Sequence, residues 1–153
     1  MRQSIRIASL LAAAQLIAAP ALTQSSQAPS PITDAEIAGE WTFIANTGPE
    51  CTFSGNALLL QTDTPSRFSC ELTATQVCMT DTWQVRQSCT ATQVNDQLVI
   101  TSQIEEFVQG EPNGGYKPDN FKLTIKSADL MKGVLVSWGF HMAEFRRSDG
   151  TIS

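Results

Sequence analysis

The chain has little of the residue types on which metal binding and nucleic-acid binding depend. It carries one histidine, His141, and only 16% of its 153 side chains are charged. A single histidine excludes metal sites built from several imidazoles and leaves most hydrolase constellations without a base. Ten basic against fifteen acidic residues give a net charge of −5, whereas binding to phosphate backbones requires positive charge. We therefore expect no metal, no cofactor and no nucleic-acid partner.

Catalytic motifs are also lacking. The sequence has no Gly-x-Ser-x-Gly elbow, and Glu105 and Glu106, as neighbours on one predicted strand, face opposite ways and cannot act as a paired acid and base. His141 beside Met142 supplies two types of copper ligand, but one imidazole with scattered methionines is more typical of a core or a strand edge. We interpret the chain as a binding protein and not as an enzyme.

No apolar run is long enough to cross a membrane. The longest, residues 7–19, has about 13 residues, whereas a spanning helix needs roughly 20. With two arginines before this run and a small-x-small site at its end, residues 1–21 have the layout of a secretory signal peptide, cleaved after Ala21 or, as the second choice, after Thr23. Without the two arginines the chain has eight basic and fifteen acidic residues, a net charge of −7. We expect a monomer in the periplasm or secreted, with no membrane insertion after cleavage.

The exported part divides into a polar arm, one domain of strands and a short tail. The arm is rich in Ser, Gln and Pro and has too little apolar content to join a core, so we predict that it is flexible. One helical turn follows the arm, with Thr33 or Asp34 as its N-cap and Gly39 as its end. The predicted boundaries are 22–33 for the arm, 34–147 for the domain and 148–153 for the tail.

From Glu40 onward, short apolar runs alternate with turn residues. About eight strands in some 108 residues are typical of an all-β fold, either an antiparallel up-and-down barrel or a small sandwich, and we predict the eight-stranded barrel. The runs 82–86 and 88–94 are predicted as separate strands, and residues 109–120 form a long polar loop of the kind that often carries function. The predicted inward-facing side chains are Phe43, Phe68, Trp83, Phe121, Ile125, Trp138 and Phe145.

Four cysteines lie in the exported part of the chain. Cys51, Cys70, Cys78 and Cys89 contain no C-x-x-C spacing, so a zinc site or a thioredoxin-like motif is not indicated. Disulfides persist in the oxidising compartments that exported proteins enter. Four cysteines allow three pairings, and we favour Cys51 with Cys70 and Cys78 with Cys89 because a strand meander places sequential neighbours side by side.

Two features resemble the calycin barrels, the group that includes the lipocalins and avidins. Gly39 and Trp41 form a Gly-x-Trp motif entering the first strand, and the last strand carries arginines. The resemblance implies that Trp41 closes one end of the barrel and that an arginine of the last strand lies flat on its ring. Strand alternation sends inward Arg147 if Phe145 is in the core, or Arg146 if the strand end is curved.

Within that group, the chain is similar to the Inh family, exported inhibitors of serralysin-type metalloproteases. Residues 25–41 share the family's layout of a Ser-rich arm leading through a helical turn into Gly-x-Trp, and residues 143–147 resemble its closing strand. Cys51 and Cys70 match the positions of its disulfide. In that family the arm enters the protease cleft, so the resemblance implies that Ser25 and Ser26 contact a secreted metalloprotease.

Two other binding functions remain open at the level of sequence. An envelope protein could bind a protein partner through the loop containing Tyr116, Pro118 and Asp119, with Tyr116 as an aromatic anchor, although this tyrosine could equally tuck the loop onto the barrel. A lipocalin-like barrel could hold a small ligand, but the bulky predicted interior favours a solid core.

Overall fold

The structure, a computed structural model, describes residues 31–112 and 114–148. Each strand pairs antiparallel with the next, and the last pairs with the first, so the sheet closes into an eight-stranded up-and-down barrel. The predicted all-β barrel is therefore confirmed. The elements are α1 (Asp34–Ile37), β1 (Gly39–Ala45), β2 (Cys51–Gln61), β3 (Arg67–Cys78), β4 (Asp81–Val94), β5 (Gln97–Gln109), β6 (Asn120–Ser127), β7 (Leu130–Val136) and β8 (Phe140–Arg147).

The helical turn forms where the sequence predicts it. Thr33 is the N-cap, and its backbone N–H and hydroxyl both donate to the Glu36 carboxylate at 2.8 Å. These hydrogen bonds lower the pKa of Glu36. The helix ends at Ile37, and Gly39 begins β1 with φ of +123°, a value that favours glycine.

The fourth strand differs from the prediction, since β4 is one continuous strand where the sequence suggested two. The apparent break lies at Gln87, a polar residue that nevertheless faces inward and is fully buried. It continues the inward alternation between Val85 and Cys89. A polar residue in phase with buried neighbours was therefore misread as a boundary.

Large side chains fill the barrel. The rings of Phe43, Phe121 and Phe145 contact one another, with centroids 4.9 to 5.3 Å apart, and leucines and isoleucines of the other strands complete the core. Phe68 and Ile125 are also buried as predicted. The prediction for Trp138 was wrong: this residue lies two positions after the end of β7, in the turn before β8, and is 46% exposed. Trp83 faces inward but is only half-buried.

Both disulfides differ from the pairing that we favoured. Cys51 is bonded to Cys78 and Cys70 to Cys89. The reason is strand register: β2 begins at Cys51 and pairs with the end of β3, and Cys70 lies directly opposite Cys89 on β4. An antiparallel hairpin places the start of one strand beside the end of the next, so sequential neighbours are not the partners. The Cys51–Cys70 pair of the Inh resemblance is absent from this chain.

Candidate functional site

The up-and-down order gives the barrel two different ends. We call the end at which β1 begins and β8 ends the closed end, and the opposite end, with the β1–β2, β3–β4, β5–β6 and β7–β8 connections, the open end.

The Arg147 side chain connects the region around α1, the β6–β7 turn and Trp41 at the closed end. Its guanidinium lies 4.4 Å from the centroid of the Trp41 ring, a cation–π contact. Its Nη1 donates to the Ala38 carbonyl at 3.0 Å, its Nε donates to the Ala128 carbonyl at 2.8 Å, and its Nη2 donates to the Glu36 carbonyl. Arg147 is therefore the inward-facing arginine of β8.

Two further hydrogen bonds attach α1 to the barrel. The Trp41 indole N–H donates to the Ile37 carbonyl at 2.9 Å, and the Ser66 N–H, in the β2–β3 turn, donates to the Asp34 carboxylate at 2.8 Å. Arg146 contributes nothing here, because it points outward and pairs with Glu144 at 2.6 Å. The α1 turn is thus bonded to the barrel through several side chains.

The last residues of the arm directly precede α1. Pro31 and Ile32 line a cleft of about 470 Å³ with residues of the β4–β5 turn and the end of β6, among them Asn95 and Lys126. The predicted signal peptide, residues 22–30 of the arm with Ser25 and Ser26, and residues 149–153 of the tail lie outside the described residues.

The β5–β6 loop folds back into the open end of the barrel, where two of its side chains are buried. Asp119 is 1% exposed and Tyr116 is 9% exposed. The Tyr116 hydroxyl donates to the Asp119 carboxylate at 2.8 Å, Gln87 Nε2 donates to the same oxygen, and the Asp119 N–H donates to Gln87 Oε1 at 2.9 Å. The sequence left open whether Tyr116 anchors a partner or tucks the loop onto the barrel. Its burial and its hydrogen bond to Asp119 agree with the second interpretation, and binding of a partner by this loop stays a prediction. Pro118 is only partly exposed.

Burial dominates the electrostatics of this loop. It raises the pKa of Asp119 to about 6, although the hydrogen bonds from Gln87 and Tyr116 favour the carboxylate. Burial also raises the pKa of Tyr116, and the neighbouring charge of Asp119 acts in the same direction.

The barrel interior contains a polar layer, in its open half, that was not predicted from the sequence. Gln76, Gln87 and Ser102 are buried inward-facing residues, and the Ser102 hydroxyl donates to the Asp119 carbonyl at 2.7 Å. Their signal in the sequence was weak: each occupies a position in phase with apolar neighbours two residues away, a pattern that becomes visible only once the strand is known to be continuous.

An aromatic cleft of about 270 Å³ opens beside the loop. We call it the mouth cleft. It is lined by Cys51, Gln76, Cys78, Trp83, Gly115, Tyr116 and Trp138. None of these seven residues is charged, and three of them are aromatic.

An exposed apolar face lies on the outside of the same end. Ile44 is 60% exposed, Phe140 81% and Met142 68%. Phe140 pairs with Val136, and Met142 pairs with Val134, on the outer surface of β7 and β8. We call Ile44, Phe140 and Met142 the apolar face.

The described residues contain no group of three or more His, Cys, Asp or Glu side chains that could hold a metal ion. His141 packs against Trp138, with ring centroids 4.2 Å apart. No helix within residues 31–112 and 114–148 is long and apolar enough to span a membrane.

Comparison with known proteins identifies the fold alone. No family model and no curated protein matches the chain. Among solved structures, a de novo designed fluorescence-activating β-barrel is similar, with a TM-score of 0.56, 16% identity, and coverage of 74% of this chain and 95% of the other. A redesigned β-barrel, mFAP1 bound to DFHBI, has a TM-score of 0.57 and 14% identity and covers 74% and 96%. The chain is a small closed β-barrel, consistent with a binding protein.

Proposed function

We propose that this protein is a non-catalytic, exported inhibitor that blocks a serralysin-type metalloprotease with its N-terminal arm, as the resemblance of residues 25–41 to the Inh family implies. The two disulfides are compatible with the oxidising compartment that this function requires.

The filled interior favours binding by the outside of the molecule. The aromatic core and the inserted β5–β6 loop occupy the space in which a lipocalin-like barrel would hold its ligand. A fully enclosed small ligand is therefore the less favoured function, and the surfaces and the arm are the parts left for recognition.

The anchored base of the arm is the observation that carries the proposal. A floppy segment loses binding free energy when a partner orders it, whereas a segment that starts from a fixed point loses less. Arg147, Trp41 and Ser66 fix α1 on the barrel, so the arm leaves from a defined place at the closed end. Anchoring of this kind favours binding if the arm enters the cleft of a protease.

The proposal is tested by titrating a serralysin-type protease with the mature protein and with a variant lacking residues 22–31. We expect stoichiometric inhibition by the mature protein and at least about a hundredfold weaker inhibition by the shortened one, corresponding to about 3 kcal/mol. A variant with Phe140→Ser, at the other end of the barrel, is the matched control and should inhibit normally. Failure of the mature protein to inhibit, or equal inhibition without the arm, would refute the mechanism.

One observation favours a second candidate, an envelope protein that binds a protein partner through its open end. The apolar face exposes three large side chains on the neighbouring strands β1 and β8, and exposed apolar surface of this kind commonly marks an interaction site. In this case Phe140→Ser and Met142→Ser would abolish capture of the partner from an envelope extract, and removal of residues 22–31 would not affect it.

A further inference from the structure

We propose that the mouth cleft is a binding site for one uncharged aromatic ring that carries a hydrogen-bond acceptor, supplied either by a free small molecule or by a side chain of a bound polypeptide. The site is independent of the arm, because it lies at the open end of the barrel.

The walls of the cleft are held in place by their surroundings. Trp83 lies beside Gly110, where a Cβ atom would come within 2.7 Å of its ring, so the loop backbone packs directly against the indole. The Tyr116 hydroxyl is tied to Asp119 at 2.8 Å, and its ring meets Phe107 edge to face at 5.7 Å. Trp138 packs on His141. Three aromatic side chains therefore line a space large enough for a single ring, and Trp138, which is 46% exposed, is the least enclosed of them.

Gln76 provides one polar contact that is poorly satisfied. Its side chain is buried, and its Nε2 donates at 3.2 Å to the Sγ of Cys78, a disulfide sulfur. Sulfur is a weak acceptor, so an oxygen atom of a ligand would be a better partner for this amide. Gln76 lies directly opposite Trp83 on the neighbouring strand, which places the amide beside an aromatic wall.

The chemistry of the lining selects the ligand class. Its seven residues carry no charge, so a charged ligand would be desolvated without a partner. A sugar ring bears several hydroxyl groups that need partners, whereas the Tyr116 hydroxyl already donates to Asp119 and Gln76 offers a single amide. An apolar ring with one acceptor fits this set.

The test is a nitrogen-15 NMR titration of the mature protein with phenol and, separately, with toluene. Two of the three tryptophans line the cleft, and the third, Trp41, is buried at the closed end as an internal reference. We expect the indole signals of Trp83 and Trp138 and the Gln76 amide signals to move and to saturate, with a phenol dissociation constant on the order of 1 mM. The Trp41 signal should stay in place.

Variants separate the ring contact from the amide contact. Trp138→Ala should weaken phenol binding about tenfold, corresponding to about 1.4 kcal/mol, and Gln76→Leu should remove the preference for phenol over toluene. Phe140→Ala, an exposed ring close by that does not line the cleft, is the matched control and should bind phenol normally. If Gln76→Leu does not fold, the Trp138→Ala variant still decides the result.

A peptide probe identifies the source of the ring. Tighter binding of acetyl-Gly-Tyr-Gly-amide than of phenol would support a polypeptide ligand, and exclusion of the peptide with retained phenol binding would support a free small molecule. Shifts that do not saturate, shifts of equal size at Trp41, unaltered binding in Trp138→Ala, or tighter binding of methyl glucoside than of phenol would overturn the proposal.

Discussion

At the scale of single residues, Asp119 is the one acidic or basic residue among the buried side chains that the structure describes. Its carboxyl is almost fully buried, and the hydrogen bonds from Gln87 and Tyr116 do not remove the effect of desolvation on its pKa. Its pKa is raised from 3.8 to about 6, which means that the folded chain binds the proton more tightly than the unfolded chain. The stability from this carboxyl is therefore complete below its unfolded pKa and is lost as the pH rises through its folded pKa.

This sign gives a prediction for Asp119→Asn. Because asparagine does not ionise, the variant should gain about 2 kcal/mol in unfolding free energy relative to wild type as the pH rises from about 4 to about 7. Urea unfolding at several pH values measures the difference. Asp63→Asn, at an exposed turn, controls for the change in net charge. Parallel profiles of wild type and Asp119→Asn would show that the carboxyl is not held as described.

The two neighbouring arginines of β8 differ in a way that mutation can measure. Arg147 donates to three backbone carbonyls and covers Trp41, whereas Arg146 makes an exposed ion pair with Glu144. We expect Arg147→Ala to lower the unfolding free energy by about 3 kcal/mol and Arg146→Ala by less than about 1 kcal/mol. Thermal and urea unfolding provide the comparison, and equal losses would contradict the closed-end geometry.

At the scale of elements, α1 shows how a short segment gains order from its surroundings. Four helical residues are far below the length at which an isolated helix persists in water. The capping contacts of Thr33 with Glu36 and the hydrogen bonds from Arg147 and Trp41 supply the missing stability. The sequence predicted this turn because its cap and the glycine that follows it are local signals, but the arginine that holds it comes 109 residues after Ala38 in the chain.

Strand register determines the disulfide pairing, and this gives a prediction that can be tested without an activity assay. Peptide mapping without reduction should recover Cys51 linked to Cys78 and Cys70 linked to Cys89. Replacing either pair by alanine should lower the unfolding free energy by about 3 to 4 kcal/mol in the loop-closure model. Recovery of Cys51 linked to Cys70 would contradict the register of β2 and β3.

Local pattern located most of the strands, but it divided β4 in two and did not identify the polar residues that face the barrel interior. The alternation of Phe68, Cys70 and Leu72 identified one inward face correctly, since period two is a property of neighbouring residues. Gln87 could not be assigned, because its partner Asp119 is 32 residues away. Tyr116 is buried for the same reason, as the loop conformation depends on contacts that no short window contains.

At the scale of the whole molecule, the two ends of the barrel have different properties. The closed end joins the arm to a rigid base, and the open end combines the mouth cleft with the apolar face. The sheet is closed around the barrel, although β6 pairs with only the first four residues of β5, Gln97–Ile100. The two ends therefore offer different surfaces for the two binding functions proposed above.

The most direct test of the central claim is photo-crosslinking to the protease from each end of the barrel. A photoreactive residue replaces Ser26 in one version of the mature protein and Phe140 in another, and each is irradiated with a serralysin-type protease. We expect a crosslinked product from position 26 that maps to the protease cleft, and none from position 140. A crosslink from position 140 alone, or from neither position, would contradict inhibition through the arm.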